Sequence, residues 1–292
     1  MIRNRRTSLL STVFLVFTFF FAISDIARGK TAGEVLKQFQ GLPGGVREAQ
    51  LIQAAKRDGK IVLYGTTNIT VMQELLEGFK KKYSFLQVDN YRATSNRVYA
   101  KLAAEARSGT HAVDVIEISP DSAFKLKQDQ LLDPYISPIR KSVLEEYTDK
   151  EGFWTGYFHQ VIALGYNTAN VKRNEIPKTY EDVLNPSFKE KLPLGTADQE
   201  RFGTLLEFWG KEKTFAYFNK LAKNVPAMRE GHTLQAQLLS AGEFSISPWV
   251  LGHNLAELKR KGAPVETVLL EPVLSTPKYL LLAKHSAHPH AA

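Results

Sequence analysis

The chain has 292 residues, of which 43% are hydrophobic and 23% are charged, with no cysteine and a formal charge of +8. This composition is ordinary for a soluble globular protein, and the lack of cysteine excludes disulfides, thiolate catalysis and cysteine-based zinc sites. The length allows one large domain or two smaller lobes. The basic residues form no stripe interleaved with aromatic side chains, so nucleic acid is not expected as a partner.

Residues 1–29 predict a secretory signal peptide. Three arginines precede an apolar run from Leu9 to Ile23, and Ala27-Arg28-Gly29 resembles a small-x-small cleavage site. An uncleaved membrane anchor is the alternative, but the run is shorter than the ~20 apolar residues that a spanning helix needs. The pattern therefore favours export followed by cleavage.

From Lys60 onward, short hydrophobic runs alternate with helical patterns, after two short amphipathic helices over residues 30–59. This alternation predicts an α/β fold with a sheet covered on both faces. The predicted strands are Lys60–Leu63, Gln87–Tyr91, Val113–Ile118, Gln160–Tyr166, Lys191–Leu194, Phe244–Ile246 and Tyr279–Ala283.

Two turns between a strand and a helix share one pattern of small polar residues. In the first, Gly65, Thr66, Thr67 and Asn68 precede a helix that Thr70 and Gln73 are predicted to open as a capping box. In the second, Thr196, Ala197 and Asp198 follow Leu194, and Thr196 is expected to cap the helix with Gln199. Backbone N–H groups and hydroxyls at a helix start suit an anion, so both turns are candidate ligand sites.

A Ser-Pro pair follows two other predicted strands. Ser119-Pro120 and Ser247-Pro248 each suit the N-cap and the first position of a helix. Since each of the two patterns occurs once in each half of the chain, the sequence indicates two lobes of related design. Their strand ends would face each other across a cleft, where ligands of open α/β sheets bind.

Several segments together resemble one protein family. They are "KIVLYGTTN" (60–68), "VDVIEIS" (113–119), "WTGYFHQVIALGYNT" (154–168), "YEDVLNPSFKEKLPLG" (180–195), "GHTLQAQLLSAGEFSI" (231–246) and "GAPVETVLLEPV" (262–273). In order and spacing they are similar to the extracellular solute-binding proteins of bacterial ABC importers, in the branch that includes ferric-ion-binding proteins.

The resemblance implies a type II periplasmic-binding fold, in which each lobe is a mainly parallel sheet flanked by helices. Two crossover strands, near Gln160–Tyr166 and Val268–Tyr279, would join the lobes. The first lobe would comprise residues 30–160 and 270–292, and the second residues 161–269. Family members continue with a further helix and more chain, so the C-terminal part of the first lobe is expected to be missing after Ala292.

The function implied is that of a periplasmic, monomeric substrate-binding component, which delivers a small molecule to a membrane permease. It would not be an enzyme, and it would need neither a cofactor nor a resident metal. An exported hydrolase on the same scaffold is the alternative from another class, although the sequence shows no recognised nucleophile–base constellation. The histidines in "KHSAHPHAA" favour a loop leading into a helix over a weak metal site.

A direct ferric-ion site is a second alternative, because ferric members of the family use a pair of tyrosines and an acidic residue. Here Trp249 stands where the tyrosine pair is expected and Asn96 at the acidic position, which removes the anionic oxygen ligands that ferric iron prefers. Tyr64 and Tyr157 could rebuild such a site.

The remaining candidates favour a small anionic or zwitterionic solute, or an iron complex. Arg97 could offer a charged fork to a carboxylate or phosphate, although a solvated face is an equal interpretation. Asp198 argues against a highly charged anion unless it caps its own helix or meets an ammonium. Tyr157 and Trp249 would form apolar walls, and Ser119 and Ser247 would line the cleft.

Overall fold

The computed structural model describes residues 31–189, 192–195, 198–224 and 228–292, and of Gln199 the backbone alone. The predicted signal peptide, Thr196 and Ala197 lie outside the described residues. Within that part of the chain, no helix is long and apolar enough to cross a membrane.

Eight strands form one mixed sheet, in the order β2-β1-β3-β10-β5-β8, with β4 paired to β10 and β9 paired to β5. A separate parallel pair joins β6 to β7. The strands are β1 (Lys60–Gly65), β2 (Gln87–Arg92), β3 (Val115–Ile118), β4 (Leu132–Asp133), β5 (Thr155–Asn167), β6 (Leu194–Gly195), β7 (Met228–Arg229), β8 (Ile246–Leu251), β9 (Val265–Val268) and β10 (Leu274–Ala283).

Helices cover the sheet, and most of the short 3₁₀ turns lie in the segments before and after β5. The described α-helices are α1 (Ala32–Leu36), α2 (Gly44–Asp58), α3 (Ile69–Lys82), α4 (Ser95–Arg107), α5 (Pro120–Gln128), α6 (Gln199–Trp209), α7 (Lys211–Ala222), α8 (His232–Ser240) and α9 (Gly252–Arg260).

The first half of the molecule is built on the parallel strands β2, β1 and β3. Their side chains pack with α4 and α5 around a buried cluster that we call the first core, which includes Val98, Ile116, Leu126, Trp154 and Leu281. Parallel strands align their carboxyl ends at one edge, so the starts of the helices that follow them are brought together.

The second half departs from the predicted parallel sheet. Among its described strands, β8 and β9 both pair antiparallel with β5, and the parallel pair β6–β7 has only two residues on each strand. The second core nevertheless forms on this frame, around Leu164, Leu205, Leu221, Ile246 and Trp249.

Strands β5 and β10 are the two long strands that contact both halves. They pair antiparallel over most of their length, with Thr276 opposite Gln160. Leu274 at the start of β10 belongs to the second core, whereas Tyr279 and Leu281 near its end belong to the first. The frame that links the two halves is therefore a continuous pair of strands.

Two predicted helix starts are wrong. Ser247 and Pro248 do not open a helix, because β8 continues through them to Leu251 and α9 begins only at Gly252. The register of β5 and β8 shifts here so that Pro248 and Trp249 face the single residue Leu164. A bulge of this kind tolerates a proline, which lacks the ladder N–H.

The predicted capping box of Thr70 and Gln73 is also absent. Helix α3 begins one residue before Thr70, and Asn68 is its N-cap, with its side chain accepting from the Thr70 backbone N–H at 2.8 Å. The asparagine is the stronger N-cap residue, so it displaces the start of the helix toward the turn.

The C-terminal segment after β10 forms turns. His288 Nδ1 is 2.9 Å from Asp114 Oδ2, and His290 Nδ1 is 3.0 Å from Asp58 Oδ1. Backbone N–H groups of His290 and Ala291 also donate to Asp58. These contacts attach the segment to the first half of the molecule.

Candidate functional site

A cavity of about 90 Å³ lies between the two halves. From the first half, the starts of α4 and α5 line it, and from the second half, the starts of α6 and α8 do so. Gln160 of β5 with Thr276 and Lys278 of β10 complete the wall. We call this space the cleft cavity, and the helix starts around it follow from the strand ends described above.

The four helix starts at the cleft cavity lack a side-chain cap. In the described residues, none of α4, α5, α6 and α8 has a hydrogen bond from its first turn to the N-cap side chain. The first-turn N–H groups of a helix have no partner within the helix, and its dipole favours negative charge there. Four such ends around one small space form an anion-attracting environment.

Two buried cations add to this environment. Arg201 is only 3% exposed and Lys278 only 5%. Arg201 Nη1 donates to Thr276 Oγ1 at 2.8 Å, whereas its buried Nε has no hydrogen-bond partner among the described residues. A buried donor without a partner is costly, so a ligand that accepts from Arg201 would remove that cost.

Lys278 belongs to a hydrogen-bonded chain with two serines. Its Nζ donates to Ser119 Oγ at 2.6 Å, and Ser95 Oγ donates to Ser119 Oγ at 2.9 Å. Burial lowers the pKa of Lys278, while the Glu117 and Glu200 carboxylates oppose that shift. An anion in the cavity would therefore restore the stabilisation that the ammonium loses on leaving water.

Two carboxyl groups line the same cavity, one from each half. Asp121 lies in the first turn of α5 and Glu200 in the first turn of α6, and both line the cavity. Glu200 Oε2 also accepts from Arg201 Nη1 at 2.9 Å. Burial raises the pKa of Glu200, Arg201 opposes the shift, and Asp121 adds to it.

His232 opens α8 and lines the cavity. Its Nδ1 is 3.0 Å from Gln235 Oε1. Burial and then the Arg201 cation lower the pKa of His232 to about 4. The imidazole is therefore neutral at pH 7, so it can donate or accept a hydrogen bond but adds no positive charge.

In the predicted ligand turn after β1, the carboxylate of Glu117 occupies the hydrogen-bond donors that a ligand was expected to use. Glu117 Oε2 accepts from the backbone N–H groups of Thr66 at 2.6 Å and Thr67 at 2.8 Å. Its other oxygen accepts from Thr66 Oγ1. Of the four residues Gly65 to Asn68, only Thr66 lines the cleft cavity.

Arg97, predicted as a fork for the ligand, is engaged with the opposite half of the molecule. Its Nε donates to Glu230 Oε1 at 2.8 Å and its Nη2 to Glu230 Oε2 at 2.6 Å. Thr94 Oγ1 donates to the same carboxylate at 3.2 Å. We call these three residues the cleft clasp, because Thr94 and Arg97 belong to the first half and Glu230 precedes α8 in the second.

The two tyrosines considered as metal ligands do not line the cleft cavity. Tyr64 is buried and donates to Glu105 Oε1 at 2.9 Å. Tyr157 lines a separate, largely apolar groove with Ile139 and Trp154. Burial raises the pKa of both hydroxyls, which disfavours the phenolate that a metal would need.

The remaining predicted residues contribute to packing. Asp198 is buried, with Oδ2 accepting from the Gly195 N–H at 2.5 Å. Ser247 and Trp249 are fully buried in β8, and Trp249 stacks on Phe218 at 5.4 Å. The expectation that Trp249 forms a cleft wall is not met by its position in the second core.

Among the residues predicted to bind ligand, Thr66 and Ser119 line the cleft cavity. The sequence did not identify the other polar lining residues as ligand-binding: they are Ser95, Asp121, Gln160, Glu200, Arg201, His232, Thr276 and Lys278. The sequence could have indicated a role for Lys278, because it is the one charged residue in an otherwise uncharged strand and buried charges are rare unless they have a role. Ser95 could have been found by analogy with Ser119, because both lie at the start of a helix that follows a parallel strand. His232 follows a glycine N-cap, which has no distinctive side chain.

Comparison with known proteins assigns this architecture. A sequence model of the family described as "Bacterial extracellular solute-binding protein" matches residues 111–286, which is more than half of the chain. The chain belongs to this family. The resemblance inferred from the sequence segments is thus confirmed.

Curated relatives of this solute-binding protein are named as binding proteins, not as enzymes. A Fe(3+)-binding periplasmic protein of Serratia marcescens is 24% identical over 214 residues, covering 70% of this chain and 62% of that protein. A Salmonella typhi periplasmic protein named for 2-aminoethylphosphonate binding is 26% identical over 170 residues, covering 56% and 48%. The chain therefore spans about half to six-tenths of the length of these relatives.

Solved structures confirm the predicted fold class of this solute-binding protein. The periplasmic binding protein P5PA superposes with a TM-score of 0.70 at 25% identity, covering 80% of this chain and 77% of that chain. AfuA from Actinobacillus pleuropneumoniae, with exogenous fructose-6-phosphate bound, has the same TM-score and coverage at 21% identity. Iron-bound HitA from Pseudomonas aeruginosa gives 0.68 at 17% identity, covering 80% and 78%.

Proposed function

We propose that this solute-binding protein is the substrate-binding component of an ABC importer. It captures a small anionic solute in the cleft cavity and delivers it to a membrane permease. The observation that supports this most is the convergence of Arg201, Lys278 and four uncapped helix starts on one space between the halves. A ligand there contacts both halves at once, so its binding energy favours the closed arrangement.

The surrounding assignments belong to the same proposal. We assign residues 30–160 and 270–292 to the first lobe and residues 161–269 to the second. The two separate cores support two lobes, but Leu270 and Leu274 pack in the second core, so the return to the first lobe lies further along β10. The leader pattern in residues 1–29 and the periplasmic relatives support export to the periplasm. The protein acts as a monomer, without catalysis and without a cofactor.

A ligand screen tests the proposal. Phosphate, phosphonates, carboxylates, amino acids and ferric citrate are added to the purified protein, and hits are followed from thermal shift to calorimetry. Arg201→Gln removes a buried cation, so we expect affinity for the hit to fall by about 30-fold or more. The matched control Arg173→Gln changes an exposed arginine outside the cavity and should leave affinity unaltered.

Failure of every anionic compound to bind, or equal affinity in the Arg201→Gln and Arg173→Gln variants, would refute the proposed site. Native purification followed by mass spectrometry adds an independent readout, because a transport receptor releases its ligand chemically unchanged.

Direct ferric-ion binding is the first competing function, supported by the name of the Serratia marcescens relative. The chemistry of the cleft cavity argues against it, because no tyrosine is among its described lining residues, and Glu230, one of the three carboxyl groups among them, is already paired with Arg97. Ferric iron with and without citrate in the same screen separates free-ion binding from binding of an anionic iron complex.

An exported hydrolase is the competing function of another class. The contact of Lys278 Nζ with Ser119 Oγ supports it, since a lysine with a lowered pKa can activate a serine. Incubation with a fluorophosphonate probe, which labels activated serines, distinguishes the two functions. Labelling of the wild-type protein that is lost in Ser119→Ala would favour a hydrolase. Unlabelled protein that retains ligand would favour the transport receptor.

A further inference from the structure

The carboxyl groups of Asp121 and Glu200 place negative charge in the cleft cavity beside the cations Arg201 and Lys278. They come from opposite halves of the molecule and both line the cavity. Two carboxylates that line one small cavity repel each other unless a proton or a cation lies between them. A receptor built for an anion alone gains nothing from such a pair.

Their acceptor capacity is only partly used. Buried Asp121 Oδ1 has no hydrogen-bond partner in the described part of the chain, and Lys125 Nζ approaches the other oxygen only to 3.9 Å. Glu200 receives Arg201 and Thr276 on Oε2 alone. Between them the two groups can therefore accept further hydrogen bonds from a donor-rich cation.

The cations beside these carboxyl groups have unused donors. Within the described part of the chain, buried Arg201 Nε has no hydrogen-bond partner, and Lys278 Nζ has one, the Ser119 hydroxyl. Arg201 and Lys278 thus balance the charges of Asp121 and Glu200, and Arg92 and Glu230 add one further charge of each sign, so the lining has no large net charge. A lining with charges of both signs complements a ligand that has one positive and one negative group better than it complements a dianion.

The size of the cavity restricts the ligand further. Its volume is about 90 Å³, whereas a single water needs roughly 10–15 Å³ on the same measure. The space thus suits a solute of few heavy atoms, and a sugar phosphate would require the halves to separate.

We propose that the solute is a small zwitterion, whose ammonium binds between Asp121 and Glu200 and whose phosphonate or carboxylate binds Arg201, Lys278 and the helix starts. This inference rests on the proposed function and narrows its ligand class. An ammonium has three donors and no acceptor, which matches the unused oxygens of the two carboxyl groups. Asp121 and Glu200 are then the residues that determine specificity for the amine.

Matched pairs of compounds test this inference by calorimetry on the whole protein. In 2-aminoethylphosphonate and propylphosphonate, an ammonium is exchanged for a methyl group of similar size. β-Alanine and butyrate form the corresponding carboxylate pair. We expect the ammonium-bearing member of at least one pair to bind about tenfold more tightly or better, because its absence leaves the two carboxyl groups unpaired.

The variants Asp121→Asn and Glu200→Gln locate that preference. Each should reduce the affinity ratio within the pair toward one. Glu212→Gln, at an exposed position outside the cavity, is the matched control and should keep the wild-type ratio. Thermal melts of all variants identify any that have lost their fold.

The outcomes separate this inference from the proposed function. If plain anions bind as tightly as their ammonium-bearing partners, or if both variants keep the wild-type ratio, the zwitterion inference is overturned and anion transport stands. If none of the four compounds binds and no other anion does, the proposed function fails and the inference fails with it.

Discussion

The carboxylate of Glu117 accepts three hydrogen bonds from the turn that follows β1. Gly65 makes this possible, because a Cβ at that position would lie 3.0 Å from Glu117 Oε2. The carboxylate cannot move away cheaply, since the Thr66 and Thr67 N–H groups hold the same oxygen. The turn thus has a structural role: it fixes a buried acid beside Lys278.

Gly65→Ala is expected to destabilise the protein by about 1–3 kcal/mol, because the added methyl group overpacks a site whose neighbour is held in place. Chemical denaturation of the variant measures this loss. Gly78→Ala is the matched control: Gly78 lies inside α3, where an added Cβ would meet no neighbouring group within 4 Å, and alanine there should stabilise by roughly 0.5–1 kcal/mol. Equal effects of the two substitutions would contradict this role for Gly65.

At the scale of elements, the cleft clasp joins α4 to the segment before α8. Arg97 and Glu230 form a two-pronged ion pair, and Arg92 Nη2 donates across the same gap to Thr233 Oγ1 at 3.3 Å. The pair is exposed, at 67% and 42% of its side-chain area. Exposed pairs contribute little individually, so we expect the clasp to favour a closed arrangement without holding the halves together permanently.

Glu230→Gln should therefore open the ligand-free protein and weaken ligand binding by about two- to fivefold, because less of the binding-competent closed form is populated. Small-angle scattering and calorimetry measure the two effects, and both should fade at high salt. The reciprocal exchange Arg97→Glu with Glu230→Arg should recover part of the loss.

The control for the clasp is Glu48→Gln, which removes the exposed pair with Lys82 inside the first half. That variant should leave scattering and affinity unchanged. A Glu230→Gln protein that behaves like Glu48→Gln would exclude a role for the clasp in closure.

The elements also show how much the sequence determined. Strands β1, β2 and β3 and the start of α5 at Ser119-Pro120 follow from hydrophobic periodicity and cap residues, which act locally. The same Ser-Pro signal failed at Ser247, because pairing of β8 with β5 and a bulge overrode the local preference. Similar tertiary effects placed Glu117 in the predicted ligand turn, which no local pattern could indicate.

At the scale of the whole molecule, β5 and β10 explain why the candidate site collects residues distant in sequence. Gln160 lies opposite Thr276, and Thr276 and Lys278 share a face of β10 because strand side chains alternate. Arg201 then reaches Thr276 from the second half, and Ser119 reaches Lys278 from the first. The site is therefore assembled where both halves meet the same strand pair, and its charged groups come together only when the two halves are in contact.

The pH dependence of the free energy of unfolding combines groups near this junction with opposite signs: His232 has one sign, and Asp198 and Glu200, whose pKa values burial raises, have the other. Burial lowers the pKa of His232 to about 4, so its stabilising contribution is complete above its ordinary value of 6.5 and is lost as the pH falls toward 4. Burial raises the pKa of Asp198 to about 6, so its contribution is complete below 3.8 and is lost as the pH rises toward 6. Each change amounts to at most about 3 kcal/mol.

Between about pH 4 and 6 the two contributions offset each other, and single substitutions should reveal each one. Relative to the wild type, Asp198→Asn should gain stability as the pH rises through this range, because it lacks the carboxyl group that resists ionisation. His232→Asn, which can still donate to Gln235, should lose stability relative to the wild type over the same rise. Urea denaturation at half-unit pH steps measures both differences, and parallel curves for wild type and variants would show that neither group remains in its buried state in solution.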